Sequence, residues 1–335
     1  MTNHDSRSLR IGPHDVFPLA LGCMGMSGMY GASDEDESVA TIHAAIDAGV
    51  TVLDTGDFYG MGANELLLGR ALRGRRDKVL LSVKFGALRG PDGSFIGQDC
   101  RPIAIKNALA YSLTRLGTDH VDIYRPARLD PAVPIEDTIG AIADLVKAGY
   151  VRSIGLSEVG PETIRRAAAV HPITDLQIEY SLLSRGPEAK IFPLLAELGI
   201  GVTAYGILSR GLLTRSKPQA AGDYRAHLPR FAGDNGKANE RLVAALEQLA
   251  AARGVTPAQL AIAWVRAKSG AGAAAPTIVP LLGSRTRRQL DEALGALAIT
   301  LAPEELARIE EALPPGAAAG ARYQEHMMQH LDSER

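Results

Sequence analysis

The chain of 335 residues has only two cysteines, Cys23 and Cys100, and their separation matches no metal-ligand spacing. That scarcity excludes a disulfide framework and a thiolate metal centre, and reads as two reduced, packed thiols. It also lacks a charge of one sign: 36 Lys and Arg balance 38 Asp and Glu, for a net charge of −2. No overall basic field therefore invites nucleic acid or an anionic membrane, and small-molecule work is the default. Long apolar runs are missing as well, so no segment is expected to span a bilayer. The opening, MTNHDSRSLRIGPHD, has no apolar core of the kind a signal peptide needs, which predicts a cytoplasmic protein. Finally, no GxGxxG follows the first strand-like run, so a Rossmann dinucleotide site has no fingerprint.

What the chain does have is alternation. Short apolar runs recur near 18–23, 50–55, 79–84, 121–125, 152–157, 174–180, 200–206 and 277–283. Between them lie stretches of helical periodicity such as DESVATIHAAIDAG, IAIKNALAYSLTRLG, EDTIGAIADLVKAG and TPAQLAIAWVRAKSG. About eight strand–helix units predict a single (β/α)8 barrel over residues 1–313 rather than an open doubly wound sheet. Gly49, Gly117, Gly149 and Gly199 punctuate helix ends, where a left-handed residue stops the turn. Two irregular regions, 87–102 and 214–239, follow strands and so should lie over the barrel mouth. Residues 314–335 form a tail that can also reach the mouth, its Ala/Gly-rich piece at 316–321 reading as a mobile linker.

Two of the strand-like runs, VTVLDTGDFYG and VLLSVKFG, deliver Asp54 and Lys84 at or near their carboxyl ends, with Tyr59 between them. A Lys cation beside a Tyr favours the phenolate and lowers a pKa that is ordinarily near ~10, while an Asp holds the Lys in place. The trio makes a proton donor suited to carbonyl chemistry. A second constellation is GSRTRRQLDEAL, where Ser284 is expected to cap a helix whose first turn is crowded by Arg285, Arg287 and Arg288. The helix macrodipole disfavours positive charge there, and an anion resolves the conflict; backbone N–H groups and a guanidinium together make a phosphate site.

These residues, with the frames DTGDFYGMGANELLLGRAL, VKAGYVRSIGLSE, LQIEYSLLSR, AYGILSRGLL and VPLLGSRTRRQLDEAL in this order, resemble the aldo-keto reductase family over nearly the whole chain. The resemblance implies hydride transfer between NADP(H) and an aldehyde, a ketone or the corresponding alcohol, with Tyr59 as general acid or base tuned by Lys84 and Asp54. It assigns Ser157 and Gln177 to the carboxamide, Tyr205 to stacking on the nicotinamide and Arg210 to a loop over the pyrophosphate. Gly283, Ser284, Arg285 and Gln289 would meet the adenosine 2′-phosphate end. Ala293 stands where relatives have an adenine-binding Asn.

One departure touches the chemistry itself. The fourth strand reads VDIYRPARLD, with Ala127 where the family pattern has the histidine that hydrogen-bonds the substrate carbonyl. Arg125 shares a strand face with residue 127 and is the expected substitute donor, the alternative being an Arg paired within the barrel. Met24, Met26, Tyr30, Phe58 and Phe85 near strand ends suggest an apolar or aromatic carbonyl substrate, against a sugar-like polyol. Two rival functions stay open: a Schiff-base aldolase using Lys84, and an NADPH-binding regulatory protein with little turnover.

Overall fold

A computed structural model describes residues 8–28, 31, 33–216, 218 and 223–335. Eight parallel strands close into a barrel: β1 (Ala20–Gly22), β2 (Val52–Gly56), β3 (Leu80–Phe85), β4 (Val121–Pro126), β5 (Val151–Ser157), β6 (Ile173–Glu179), β7 (Gly201–Tyr205) and β8 (Ile278–Gly283). Each neighbours the next in sequence, and β8 pairs with β1 through Leu282 and Leu21. Period-two alternation divides the strands between two cores. Leu53, Leu81, Val83, Leu156, Leu176 and Ile178 face outward into the large core shared with the helices. Val52, Ile123, Val279 and Leu281 face inward and fill the lower end of the barrel.

That lower end is closed by a hairpin, Leu9–Ile11 paired with His14–Val16, which the sequence does not announce. Its strands have three residues each, too short for a periodicity to appear, yet Ile11 and Val16 are fully buried inside the barrel floor. A Cβ on Gly201 would come within 2.5 Å of the Ile11 side chain, so the plug is packed against bare backbone.

Helices α1 (Glu35–Asp47), α2 (Ala63–Ala71), α3 (Pro102–Leu116), α4 (Ile135–Lys147), α5 (Pro161–Val170), α6 (Pro187–Leu198), α7 (Gly233–Arg253), α8 (Pro257–Ala267), α9 (Arg287–Gly295) and α10 (Pro303–Ala312) surround the strands. Their ends follow local chemistry. Asp34 caps α1 by accepting from the Glu37 N–H at 2.9 Å, Thr256 and Gln259 form a reciprocal capping box on α8, and Gly117 and Gly199 close α3 and α6 with left-handed φ. Helix α7 begins seven residues earlier than the irregular stretch to 239 suggested. The buried Asn239 explains this, because its side chain bonds the carbonyls of Arg230 and Ala319 and anchors an otherwise poor helix-forming run.

Over the mouth lie a hairpin, Ala87–Arg89 with Phe95–Gln98, the short turns of residues 209–216 and 223–231, and the C-terminal tail. The piece at 316–321 is not a loose linker: the Ala319 N–H donates to Asn239 at 2.8 Å, and the Gly320 carbonyl accepts from Arg230. Among the described residues no helix is long and apolar enough to cross a membrane.

Candidate active site

The site grows from the inward positions of β2 and β3. Asp54 is buried and accepts from three groups: the Lys84 ammonium, the Ser82 hydroxyl at 2.8 Å and the Gln177 amide at 2.7 Å. Register places Gly56 opposite Lys84, so the lysine stem passes a residue with no side chain of its own. Burial lowers the Lys84 pKa, Asp54 opposes that shift, and the charges of Arg125 and Arg128 reinforce it.

Tyr59 follows β2 in a tight turn with left-handed φ at Gly60, Met61 and Gly62. Asn64 pins this turn from beneath, donating to the Cys23 carbonyl at 2.8 Å and the Ser27 hydroxyl at 2.7 Å and accepting from Thr55. The result brings the Tyr59 ring to 5.0 Å from Lys84 Nζ and packs it edge-on against Phe58. Beside it, burial and the nearby Glu65 push the Asp57 carboxyl up to about 7 against the pull of Arg115.

Arg125 requires a correction. Its side chain is wholly buried and points down the barrel axis, where it pairs with Asp175 at 3.0 Å and donates to Ser82 at 3.1 Å and to the Leu156 carbonyl at 3.3 Å. Gly155 makes the space, since a Cβ there would sit 2.9 Å from the guanidinium carbon. Strand period correctly gives the face of Arg125 but says nothing of the depth to which a long side chain folds, and a buried partner decided it. Phe85 is a second correction: adjacent to the inward Lys84, it faces outward, fully buried and stacked on Tyr124 at 4.4 Å in the core shared with the helices. Met24 and Phe58 are partly exposed at the mouth, Met26 is buried, and Tyr30 lies outside the described residues.

Along the opposite rim, Ser157 and Gln177 are register partners at the ends of β5 and β6, and Tyr205 ends β7 opposite Glu179. The Tyr205 hydroxyl donates to Glu158 at 2.7 Å and lies 2.8 Å from the Tyr323 hydroxyl. Arg210, in a left-handed turn, pairs with Glu179 at 2.7 Å. At the end of β8, Gly283 is exposed and Ser284 buried. The cap of α9 is Thr286, not Ser284: its hydroxyl accepts from the Gln289 N–H, three residues on, a spacing Ser284 does not offer. Gln289 in turn accepts from the Arg285 N–H at 2.9 Å, whereas Arg287 is committed to Glu37 at 2.9 Å. Ala293 is packed in the core.

A barrel with a buried Asp–Lys pair beneath a tyrosine is matched by comparison with known proteins. The model of the Aldo/keto reductase family covers residues 18–314. The chain belongs to this family. It is 40% identical over 334 residues to "Probable aldo-keto reductase 1" of Glycine max, spanning 96% of this chain and 93% of that protein. It is 38% identical to "Aldo-keto reductase yakc [NADP(+)]" of Schizosaccharomyces pombe, spanning 94% and 93%. A solved aldo/keto reductase from Klebsiella pneumoniae in complex with NADP and acetate superposes with a TM-score of 0.72 at 28% identity, covering 95% of this chain and 99% of that one.

This aldo/keto reductase also has mouth contacts that sequence reasoning missed, although Glu158 itself stands out in the sequence as a carboxylate where the family pattern often has Asn. Glu158, at left-handed φ and fully buried, takes a two-pronged bond from Arg322 of the tail, and Ser333 donates to it at 2.6 Å. Burial alone would raise its pKa, but Arg322, with Arg128 and the Ser333 hydroxyl, outweighs burial and holds the carboxyl down at about 2. Arg322 also reaches Glu179 and Glu334, and Arg210 lies 4.4 Å over the Tyr323 ring. The signal was present only as charged residues at 158 and 322, remote in sequence and without a motif to link them.

Proposed function

We propose that the chain interconverts a carbonyl compound and its alcohol with NADP(H), using Tyr59 as the proton-transfer group. The observation that supports this most directly is the Lys84 ammonium, locked by Asp54 and lying 5.0 Å from the Tyr59 ring. The residues along the rim fit the cofactor. Ser157 and Gln177 offer a hydroxyl and an amide side by side, and the Gln177 nitrogen is committed to Asp54, which leaves its oxygen for a carboxamide N–H. Tyr205 adds a flat aromatic face, while the N-terminus of α9 with Arg285 suits a phosphate.

Ser157, Gln177 and Tyr205 would hold a nicotinamide there, and the chemistry it would supply is donation or acceptance of the hydride. Tyr59 donates its phenolic proton to the carbonyl oxygen, and the phenolate left behind is stabilised by the Lys84 cation. Asp54 pulls Lys84 toward the ammonium against the burial that lowers its pKa, and the ion pair ties up the nitrogen that a Schiff-base reaction would need free. Met24 and Phe58 support an apolar or aromatic aldehyde or ketone as substrate.

Tyr59→Phe keeps the ring and removes the transferable proton, so it should lower turnover by about a hundredfold or more while NADPH binding persists. Near-normal turnover of an aldehyde panel by this variant would refute the mechanism.

A further inference from the structure

Where the family resemblance implies a histidine, Ala127 offers only a methyl group, and Arg125 below it is held by Asp175, Ser82 and the Leu156 carbonyl. The site still needs a donor for the oxygen on which negative charge develops, because proton transfer and electrophilic stabilisation of a carbonyl are separate tasks. Resting on the carbonyl-oxidoreductase reading above, we propose that the guanidinium of Arg128 is that donor.

Arg128 is the residue after Ala127, and its side chain folds back over the end of β4. Its Nη1 donates to the Ala127 carbonyl at 2.6 Å and lies 3.5 Å from the Ser157 hydroxyl. These two contacts hold the guanidinium at the β4 and β5 ends. Its contact with the Ser157 hydroxyl sets it beside the rim residue assigned to the cofactor, and Lys84, Glu158, Tyr205 and Tyr323 lie near enough to exchange charge effects with it.

Its state of pairing sets it apart. Arg125, Arg210, Arg230 and Arg322 each have a carboxylate within 4.0 Å, at Asp175, Glu179 or Glu158. Arg128 forms no such pair among the described residues, and its bonds to Ala127 and Ser157 both leave from Nη1. A guanidinium has five N–H donors in a rigid fork and stays charged at any working pH. Nε and Nη2 of a half-buried arginine are thus available to an oxygen at the mouth.

The test uses the full chain with NADPH, 4-nitrobenzaldehyde as a neutral carbonyl and benzoate as an oxyanion mimic. Arg128→Ala should slow single-turnover hydride transfer by at least about tenfold, with NADPH affinity within about twofold of the parent. Benzoate affinity for the NADP+-loaded protein, an equilibrium reading independent of turnover, should fall by a similar factor. Arg128→Lys, which keeps the charge and guards against misfolding, should lie between the two. Added guanidinium should restore part of the rate to Arg128→Ala, as should Ala127→His in that background. Unchanged hydride transfer and benzoate binding in Arg128→Ala would overturn the assignment. So would an NADPH affinity loss equal to the rate loss, since Arg128 would then hold the cofactor. Should the parent bind NADPH but reduce no aldehyde, the carbonyl-oxidoreductase reading fails, and the benzoate titration alone decides whether Arg128 faces the mouth.

Discussion

Asp54 illustrates how a single carboxylate is fixed by its donors. Three groups from two other strands converge on it, so neither oxygen is left bare, and Lys84 cannot swing away without stranding a buried charge. The arginines at α9 differ in the same way. Arg287 spends its guanidinium on Glu37, while Arg285 stands at the entry to the helix with its N–H on Gln289. If Arg285 reads the 2′-phosphate, Arg285→Ala should weaken NADPH by about 1.5–3 kcal/mol and leave NADH nearly unchanged. Fluorescence titrations with both cofactors check this; equal losses would assign Arg285 to a part the two cofactors share.

Strands and helices differ in how openly their residues declare them. The eight barrel strands were legible because each is buried on both faces and reads as a compact apolar run, and the helices because caps and glycines mark their ends. The plug hairpin was not, having three residues per strand. Nor was the cap of α9, where Ser284 and Thr286 both precede the arginines and only the three-residue reach to Gln289 distinguishes them. That Asp54, Tyr59 and Lys84 come together was readable from strand ends. Arg125 was not, because its partner Asp175 is two strands away and fifty residues on. That pair now carries a stability prediction. Arg125→Ala leaves Asp175 buried and unpaired, so it should destabilise the fold by about 3–5 kcal/mol in chemical denaturation, and Asp175→Asn should relieve much of that loss in the double variant. A silent Arg125→Ala would mean that solvent reaches the barrel interior.

The tail joins the end of the chain to its middle through charge. Arg322 is 164 residues from Glu158, yet its two-pronged bond, with Ser333 on Glu158 and Asp332 on the Gly160 N–H, ties the last residues to the ends of β5 and β6. Glu179, Arg128, Arg210 and Glu334 complete the charged surroundings. Glu158 titrates at about 2 when the tail is docked, against an ordinary 4.5. Between those values the undocked state binds more protons, so docking gains strength as pH rises through the window and loses it as pH falls toward 2. Glu179 is displaced in the same direction despite its burial, by Arg210 and Arg322, and adds to the trend. Hydrogen exchange of residues 322–335 should therefore accelerate steeply between pH 5 and pH 3 relative to the barrel strands, after correction for intrinsic rates. Glu158→Gln removes the titrating group; its tail should exchange faster at pH 6 and show a flatter dependence on acid. A tail whose protection is the same at both pH values in the parent chain would mean that the apolar contacts of Tyr323 and Leu331 with Leu228, and not the carboxylates, hold it over the mouth.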